Sequence, residues 1–184
     1  MEPAASARPR EFSVLVPILE RDGTEQVVLT KRPDTIARYS GQVCLPGGER
    51  DPGDRDLRAT ALREAWEEVG IPPDRVTIER ELGWHETALL HRVKPFVGRI
   101  RGPVEIRPDP REVERVLYLP VQSVTSELFA IRGIWRSPGG AERTIYTFQL
   151  EGLEIWGLTA RILREAFVDD PTHGHGEAAS SGGA

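Results

Sequence analysis

Hydrophobic runs alternate with polar turn segments along most of the chain, and the runs are short enough to be β-strands. A first hairpin is predicted from residues 12–19 and 26–30, because Arg21-Asp22-Gly23 between them is typical of a turn. The other predicted strands cover residues 43–45, 76–82, 93–100 and 113–119, with a second hairpin at residues 128–135 and 144–150. With helices at about residues 57–69 and 158–167, the pattern favours an α/β domain with a mixed sheet between helices.

The segment from Asp56 to Gly70 has the clearest helix signals. Asp56 is a good N-cap, and Gly70, followed by two prolines, ends the helix. At roughly 100° per residue, the apolar residues form one broad arc and three glutamates share the remaining side. The arc contains Leu57, Ala61, Leu62, Ala65, Trp66 and Val69, and the glutamates are Glu64, Glu67 and Glu68. We expect Glu64 and Glu68 to lie at the edge of the buried arc, partly shielded from water.

Three acids on one helix face are electrostatically unfavourable. Like charges at i and i+4 cost about 0.2–0.5 kcal/mol, and acids near a helix C-terminus oppose the dipole by roughly 0.3–1 kcal/mol each. A nearby cation is therefore expected, and Mg²⁺ suits a site of carboxylate and phosphate oxygens. Arg63 can neutralise part of the charge, and a merely solvated acidic face is the alternative.

The residues around this helix resemble the Nudix box, in which a glycine, five residues, a glutamate and seven residues precede REUxEExGU, where U is a bulky aliphatic residue. Residues 63–71 match the second half as REAWEEVGI. In the first half, five residues separate Gly48 from Asp54, which replaces the glutamate, and eight residues separate Asp54 from Arg63. These departures resemble the coenzyme A pyrophosphatase branch of the Nudix hydrolases.

A second motif of that branch, approximately LLTxRS followed by a basic residue and GxVxFPGG, is similar to the segment upstream of the helix. Residues 28–32 read VLTKR, Arg38 follows, and residues 41–48 read GQVCLPGG. Residues 95–98 (PFVG) and 155–160 (IWGLTA) also resemble segments of the branch. The resemblance therefore extends over most of the chain.

The resemblance implies an αβα sandwich with a mixed sheet and a loop-helix-loop catalytic motif. It also implies hydrolysis of the diphosphate bond of coenzyme A, or of an oxidised or acylated form, to 3′,5′-ADP and 4′-phosphopantetheine. Glu64, Glu67 and Glu68 would hold Mg²⁺ or Mn²⁺, and Arg63 would orient a glutamate of the box. A helix salt bridge is the alternative role for Arg63.

The substrate's phosphates would be held near the glycine segment. Arg32 and Arg38 are the expected phosphate contacts, with a solvated loop charge as the alternative for each. Gly47 and Gly48 lack side chains, so they permit an unusual backbone path and close approach of phosphate or metal to the main chain. An ordinary tight turn is the alternative for the two glycines.

The sequence leaves the general base open. Glu67 and Glu68 are candidates through water, and residues outside the box are candidates as well. These outside candidates are His85, Glu86, Glu112 and Glu114. Two other functions also stay open: cleavage of ADP-ribose or another nucleoside diphosphate derivative, and nucleotide binding without catalysis.

Charge, cysteine content and the length of apolar stretches exclude some classes of protein. The net charge of −5 argues against nonspecific nucleic-acid binding. The single cysteine, Cys44, excludes an intramolecular disulfide and is expected to be a buried small hydrophobe. No apolar stretch is long enough to span a bilayer, so we expect a cytoplasmic protein. We expect a mobile N-terminus at residues 1–11, one catalytic domain at 12–168 and a disordered tail at 169–184.

The sequence also leaves the oligomeric state open. A group of apolar residues near the second hairpin is compatible with a homodimer interface or with packing in the core of the domain. These residues are Phe129, Ile131, Ile134 and Trp135.

Overall fold

The computed structural model describes residues 9–35, 40–89, 91–136, 140 and 142–169. Its strands are β1 (Glu11–Arg21), β2 (Thr24–Lys31), β3 (Val43–Cys44), β4 (Gly47–Glu49), β5 (Val76–Glu81), β6 (His85–Glu86), β7 (Arg92–Ile100), β8 (Arg115–Pro120), β9 (Ala130–Arg136), β10 (Glu142–Leu150) and β11 (Leu153–Trp156). Its α-helices are α1 (Leu57–Val69) and α2 (Gly157–Arg164), and a π-helical turn, Glu165–Asp169, follows α2. Both predicted hairpins and both predicted helices are present.

The larger sheet has eight strands and is mixed, as the sequence predicts. Its main order is β3-β2-β1-β7-β5, and β1 and β7 run parallel while the other pairs are antiparallel. β8 pairs along β2, and β6 pairs with β7. A smaller antiparallel sheet has the order β11-β10-β9. The sequence pattern did not predict β4, β6 or β11, because two to four residues are too few to show a period.

Residues 43–49 lie in the gap where β1 and β2 separate. β1 pairs with β2 only from Ile18 onward, and its earlier part pairs with β4. β3 in turn pairs with the far end of β2 at Thr30 and Lys31. The segment is therefore held on both sides by the central strands, and it carries the glycines to the start of α1.

Two hydrophobic cores give the molecule its layers. One core packs α1 against the sheet through Ala61, Ala65 and Val69. The other packs α2 and the smaller sheet against the opposite face, with Leu163 and Phe148 among its buried side chains. The predicted α/β sandwich with a mixed sheet is therefore confirmed.

α1 begins and ends where the sequence predicts. The side chain of Asp56 accepts a hydrogen bond from the backbone of Ala59, and Gly70 has a left-handed φ of 73°. One residue of the predicted apolar arc differs, since Trp66 is 52% exposed. It lies at the far edge of the arc, beyond the reach of the sheet. Within the described residues, no helix is long and apolar enough to cross a membrane.

Candidate active site

Gly47 and Gly48 lie in β4 and not in a tight turn, and neither has a positive φ. The predicted unusual backbone path is therefore wrong, and the need for glycine has a different cause. A Cβ on Gly47 would lie 2.4 Å from the carbonyl oxygen of Ser13 in β1, and one on Gly48 would lie 2.4 Å from Oε1 of Glu64. Real Cβ atoms do not approach so closely, so Gly48 allows the Glu64 carboxylate to pack directly against β4.

Arg63 joins the loop before α1 to the acidic face of the helix. Its Nε and Nη2 donate to the two carboxylate oxygens of Asp54 at 3.0 and 2.9 Å. Its Nη1 donates to Glu64 at 2.8 Å and to Glu67 at 2.9 Å, and Nη2 also donates to the carbonyl oxygen of Glu49 at 3.2 Å. All of these bonds use the planar fork of one guanidinium, which a lysine does not have.

Asp54 is fully engaged in holding this arginine. Besides Arg63, its carboxylate accepts hydrogen bonds from the hydroxyl of Thr60 at 2.9 Å and from the backbone N–H of Asp51 at 3.0 Å. The bond from Arg63, helped by these two, holds the pKa of Asp54 well below its usual range. The sequence reading missed Thr60, although a polar residue beside the buried Ala61 was the available signal.

Glu68 and Glu64 are shielded from water, as predicted. Their side chains are 4% and 14% exposed, whereas that of Glu67 is 52% exposed. Burial raises the pKa of Glu68 to about 8, with the charges of Glu64 and Glu112 adding to the effect and that of Arg32 opposing it. Burial also raises the pKa of Glu64, against the influence of Arg63. This face therefore has more negative charge than its neighbours compensate.

Arg32 brings a positive group to the same place. Its Nη1 lies 3.8 Å from Oε1 of Glu68, which is too long for a good hydrogen bond. Among the described residues, the buried Oε2 of Glu68 and the buried Nε of Arg32 have no hydrogen-bond partner. A buried polar atom without a partner costs about 1–3 kcal/mol. A cation beside Glu68 and an anion beside Arg32 would satisfy both.

A divalent metal ion fits this donor set. Carboxylate oxygens are the ligands that Mg²⁺ and Mn²⁺ favour, and Glu68 has a buried oxygen available. In the part of the chain that the structure describes, no three Asp, Glu, His or Cys side chains converge closely enough to hold a metal ion. Arg63 occupies oxygens of both Glu64 and Glu67, so a metal ion would compete with this arginine for them.

The four candidates for a general base outside the box lie in different places. Glu112 is exposed and close enough to Glu64 and Glu68 to raise the pKa of both. Glu114 forms an ion pair with Lys31 at 2.6 Å. His85 and Glu86 lie in β6 and line a separate cavity. Glu112 is thus the candidate that the fold brings to the carboxylates.

Arg38 lies outside the described residues. Cys44 is a free thiol in β3, and burial raises its pKa to about 11. A thiol with such a pKa is not ionised at neutral pH, so it is a poor nucleophile and packs as a small apolar group.

Comparison with known proteins identifies the family. The model of the NUDIX domain matches residues 9–133. The chain is 35% identical over 159 residues to the uncharacterized Nudix hydrolase NudL of Yersinia pestis strain Pestoides F, covering 86% of this chain and 79% of that protein. The chain therefore belongs to the Nudix family, and it is a pyrophosphohydrolase.

Solved structures agree with the fold. The NUDIX domain of Shewanella oneidensis NrtR, in complex with ADP ribose, has a TM-score of 0.53 and 20% identity, over 67% of this chain and 80% of that chain. A binary complex of the Caenorhabditis elegans Ap4A hydrolase has a TM-score of 0.52 and 19% identity, over 60% and 80%. At these identities the likeness concerns the fold alone.

Proposed function

We propose that this Nudix hydrolase cleaves the diphosphate bond of coenzyme A or one of its derivatives, releasing 3′,5′-ADP and 4′-phosphopantetheine or its acylated form. The observation that carries the proposal is the position of Arg32 beside Glu68. Arg32 belongs to the upstream motif that resembles the coenzyme A branch, and Glu68 belongs to the Nudix box. A diphosphate at this site would meet both at once.

In this proposal, the carboxylates of α1 bind the metal ion. Glu68 and Glu64 would hold Mg²⁺ or Mn²⁺, with the exposed Glu67 completing the set. The metal supplies positive charge that offsets the charge of the diphosphate and makes water more acidic. Arg63 keeps Glu64 in place through its bonds to Asp54 and Glu49. The buried position of Glu68 strengthens its attraction for any cation, because a low local dielectric increases electrostatic energies.

The substrate would lie over β4 and β2. Arg32 and Arg38 would bind nonbridging phosphate oxygens, and Gly47 and Gly48 would bring the main chain of β4 close to phosphate or metal beside the Glu64 carboxylate. Glu112 would accept the proton of the attacking water, since it is exposed and close to the buried carboxylates. Positioning and charge compensation supply most of the rate in phosphoryl transfer, and these residues provide both.

The test is product analysis with several substrates. The purified protein is incubated with coenzyme A, acetyl-coenzyme A or ADP-ribose, in Mg²⁺, Mn²⁺ or chelator, and the products are separated by chromatography. Metal-dependent release of 3′,5′-ADP, with a kcat/KM for coenzyme A above that for ADP-ribose, supports the proposal. Faster cleavage of ADP-ribose would overturn the assignment of substrate, and tight binding without turnover would indicate a nucleotide sensor.

Three further proposals concern the setting of the enzyme. We place it in the cytoplasm, where the free, half-buried thiol of Cys44 stays reduced. We take residues 12–168 as its folding unit. We also propose a homodimer that uses β9, since Ile131 and Ile134 are 70% and 60% exposed there, whereas Phe129 packs against the core. Light scattering of the wild type and of the double variant Ile131→Ser/Ile134→Ser tests the dimer: a dimer mass that falls to the monomer mass in the variant supports it, and a monomeric wild type overturns it.

A further inference from the structure

A polar cavity lies away from the carboxylates of α1, between β6, β10 and the end of α2. Its volume is about 390 Å³, within the range of small-molecule sites. The residues that line it include Trp84, His85, Glu86, Arg143, Arg161 and Glu165. All of them lie outside the Nudix box and the glycine segment.

Two arginines from different elements converge in this cavity. Nη1 of Arg143 in β10 and Nη2 of Arg161 in α2 donate to the same carbonyl oxygen, that of Glu86, at 2.8 and 3.0 Å. Two guanidinium groups that share one acceptor repel each other. Burial and the charge of Arg143 both lower the pKa of Arg161. An anion between the two groups would remove this repulsion.

The acids that line the cavity do not supply that anion, because each is already engaged. The carboxylate of Glu86 pairs with Arg143, and that of Asp169 pairs with Arg164 at 3.2 Å. Glu165 accepts a hydrogen bond from the backbone N–H of Gly83 at 2.7 Å. Within the described residues, the Arg161 guanidinium forms no ion pair with a carboxylate, and the charges of Glu165 and Glu86 only partly offset the effects of burial and of Arg143, which together lower its pKa.

Arg161 is also held in a fixed orientation. Its Nε donates to Nδ1 of His85 at 2.9 Å, and the side chain of His85 is only 5% exposed. Because Nδ1 accepts this bond, the imidazole proton is on Nε2, which lies 2.7 Å from Oε2 of Glu165. Burial, together with the charge of Arg161, lowers the pKa of His85. A neutral, buried histidine that aims an arginine into a cavity is typical of a preorganised binding site.

We propose that this cavity is a phosphate-binding site, in which Arg143 and Arg161 hold a phosphate group from two directions. A tetrahedral dianion offers several oxygens, so each guanidinium can bind a different one, which a planar carboxylate cannot do as well. The half-exposed indole of Trp84, covered on one face by Arg92, borders the site and provides an apolar wall. The phosphate belongs either to a phosphomonoester of the substrate or to a separate phosphorylated ligand.

The first experiment measures binding of inorganic phosphate by calorimetry, with the full-length protein in chelator. The variant Arg161→Gln is expected to bind phosphate roughly tenfold more weakly or worse, the effect of one charge-assisted hydrogen bond. Arg132→Gln is the matched control, because Arg132 pairs with Glu154 on the smaller sheet, and it should bind as the wild type does. If Arg161→Gln fails to fold, as judged by circular dichroism, Arg143→Gln takes its place.

Three results would overturn the proposal: no saturable phosphate binding by the wild type, equal binding by the cavity variant, or acetate binding as tight as phosphate. This experiment needs no turnover. The cavity and the proposed enzymatic activity are therefore tested separately, and either can fail without the other.

The second experiment identifies the source of the phosphate and rests on the proposed function. KM is compared for coenzyme A and for 3′-dephospho-coenzyme A, which lacks the phosphomonoester. If Arg161→Gln raises KM roughly tenfold for coenzyme A and leaves KM for 3′-dephospho-coenzyme A unchanged, the occupant is the phosphomonoester of the substrate. If Arg161→Gln binds inorganic phosphate more weakly but has an unchanged KM for both substrates, the site binds a separate phosphorylated ligand.

Discussion

Two carboxylates of the same motif, Asp54 and Glu68, have opposite electrostatic situations. Asp54 accepts hydrogen bonds from Arg63, Thr60 and the backbone, and its pKa lies well below the usual range. The side chain of Glu68 is similarly shielded, 4% exposed against 7% for Asp54, yet it has one oxygen without a partner among the described residues, and its pKa is raised to about 8. Burial alone therefore does not determine the state of an acid, because the number of donors around it decides the direction.

This difference separates a structural acid from an acid that is available to a ligand. The charge of Asp54 is satisfied within the protein, so it holds Arg63 and gains little from a metal ion. The charge of Glu68 is not satisfied, so a bound cation would recover the free energy that burial costs. Substitutions at Glu68, Gly48, Arg63 and Asp54, together with changes of pH and metal, test this contrast.

Replacing Glu68 by Gln has the largest expected effect. The substitution keeps the shape and removes the charge, so kcat should fall by roughly 10²–10³-fold, as on loss of one electrostatic group in an active site. Steady-state kinetics with saturating Mg²⁺ measures the change. Glu20→Gln, an exposed acid at the end of β1, is the matched control and should leave kcat unchanged. Equal activity of the two variants would remove Glu68 from the site.

The pH dependence of the free energy of unfolding tests the raised pKa of Glu68 without a measurement of catalysis. The folded pKa of Glu68 is about 8 and its ordinary value is 4.5, so the native state binds more protons between these values. Stability of the metal-free protein should therefore fall as pH rises from 4.5 to 8, by up to roughly 5 kcal/mol for this group, since each pH unit between the two values contributes about 1.4 kcal/mol. Urea unfolding across this range, in wild type and Glu68→Gln, isolates the contribution of Glu68 as the difference between the two.

Metal should reverse this trend. A cation that binds the ionised form of Glu68 stabilises the native state, and more strongly as pH rises. Saturating Mg²⁺ should therefore remove the loss of stability in the wild type and have little effect on Glu68→Gln. A wild-type curve that falls with pH equally in Mg²⁺ and in chelator would contradict the assignment of Glu68 as a metal ligand.

The sequence predicted the acidic helix well because its signals are local. Asp56, Gly70 and the spacing of the three glutamates lie within one element, so helix geometry alone places Glu64 and Glu68 at the edge of the buried face. The opposite states of Asp54 and Glu68 were not predictable in this way. The state of Glu68 depends on its burial, on Arg32 just after β2 and on Glu112 in the loop before β8, which come near the helix only through the tertiary fold.

The arginine cavity was even less accessible to sequence reasoning. Arg143 and Arg161 are separated along the chain by β11, and they meet at Glu86 because the smaller sheet and α2 pack on the same side of the larger sheet. No spacing rule connects them. The same limit explains Gly48, whose backbone was expected to follow an unusual path, while the structure uses its missing side chain to make room for Glu64.

Gly48→Ala tests that close packing directly. The new Cβ would lie 2.4 Å from the Glu64 carboxylate, which must then move away from β4 and from Arg63. Because a displaced ligand loses its alignment with the substrate, we expect kcat to fall by roughly 100-fold. Gly133→Ala is the control, since Gly133 also lies in a strand and its Cβ would meet nothing within 4 Å. Wild-type kcat in Gly48→Ala would show that the position of Glu64 is unimportant.

The smallest effect on kcat is expected at Arg63, which pairs with the fully hydrogen-bonded Asp54. Arg63→Lys keeps the positive charge but loses the planar fork, so it cannot hold Asp54, Glu49 and Glu64 together. Since the substrate need not touch this arginine, kcat should fall only about tenfold, with KM nearly unchanged.

A double-mutant cycle decides whether Asp54 acts through Arg63. If it does, Asp54→Asn should cost little once Arg63 is already Lys, and the coupling between the two should be about 1–3 kcal/mol in the free energy of unfolding. Glu68→Gln combined with Arg63→Lys provides the opposite case, because Arg63 donates to Glu64 and Glu67 and not to Glu68. Additive losses of stability at Asp54 and Arg63 would mean that Asp54 has a role of its own, and the distinction between a supporting acid and a ligand acid would no longer hold.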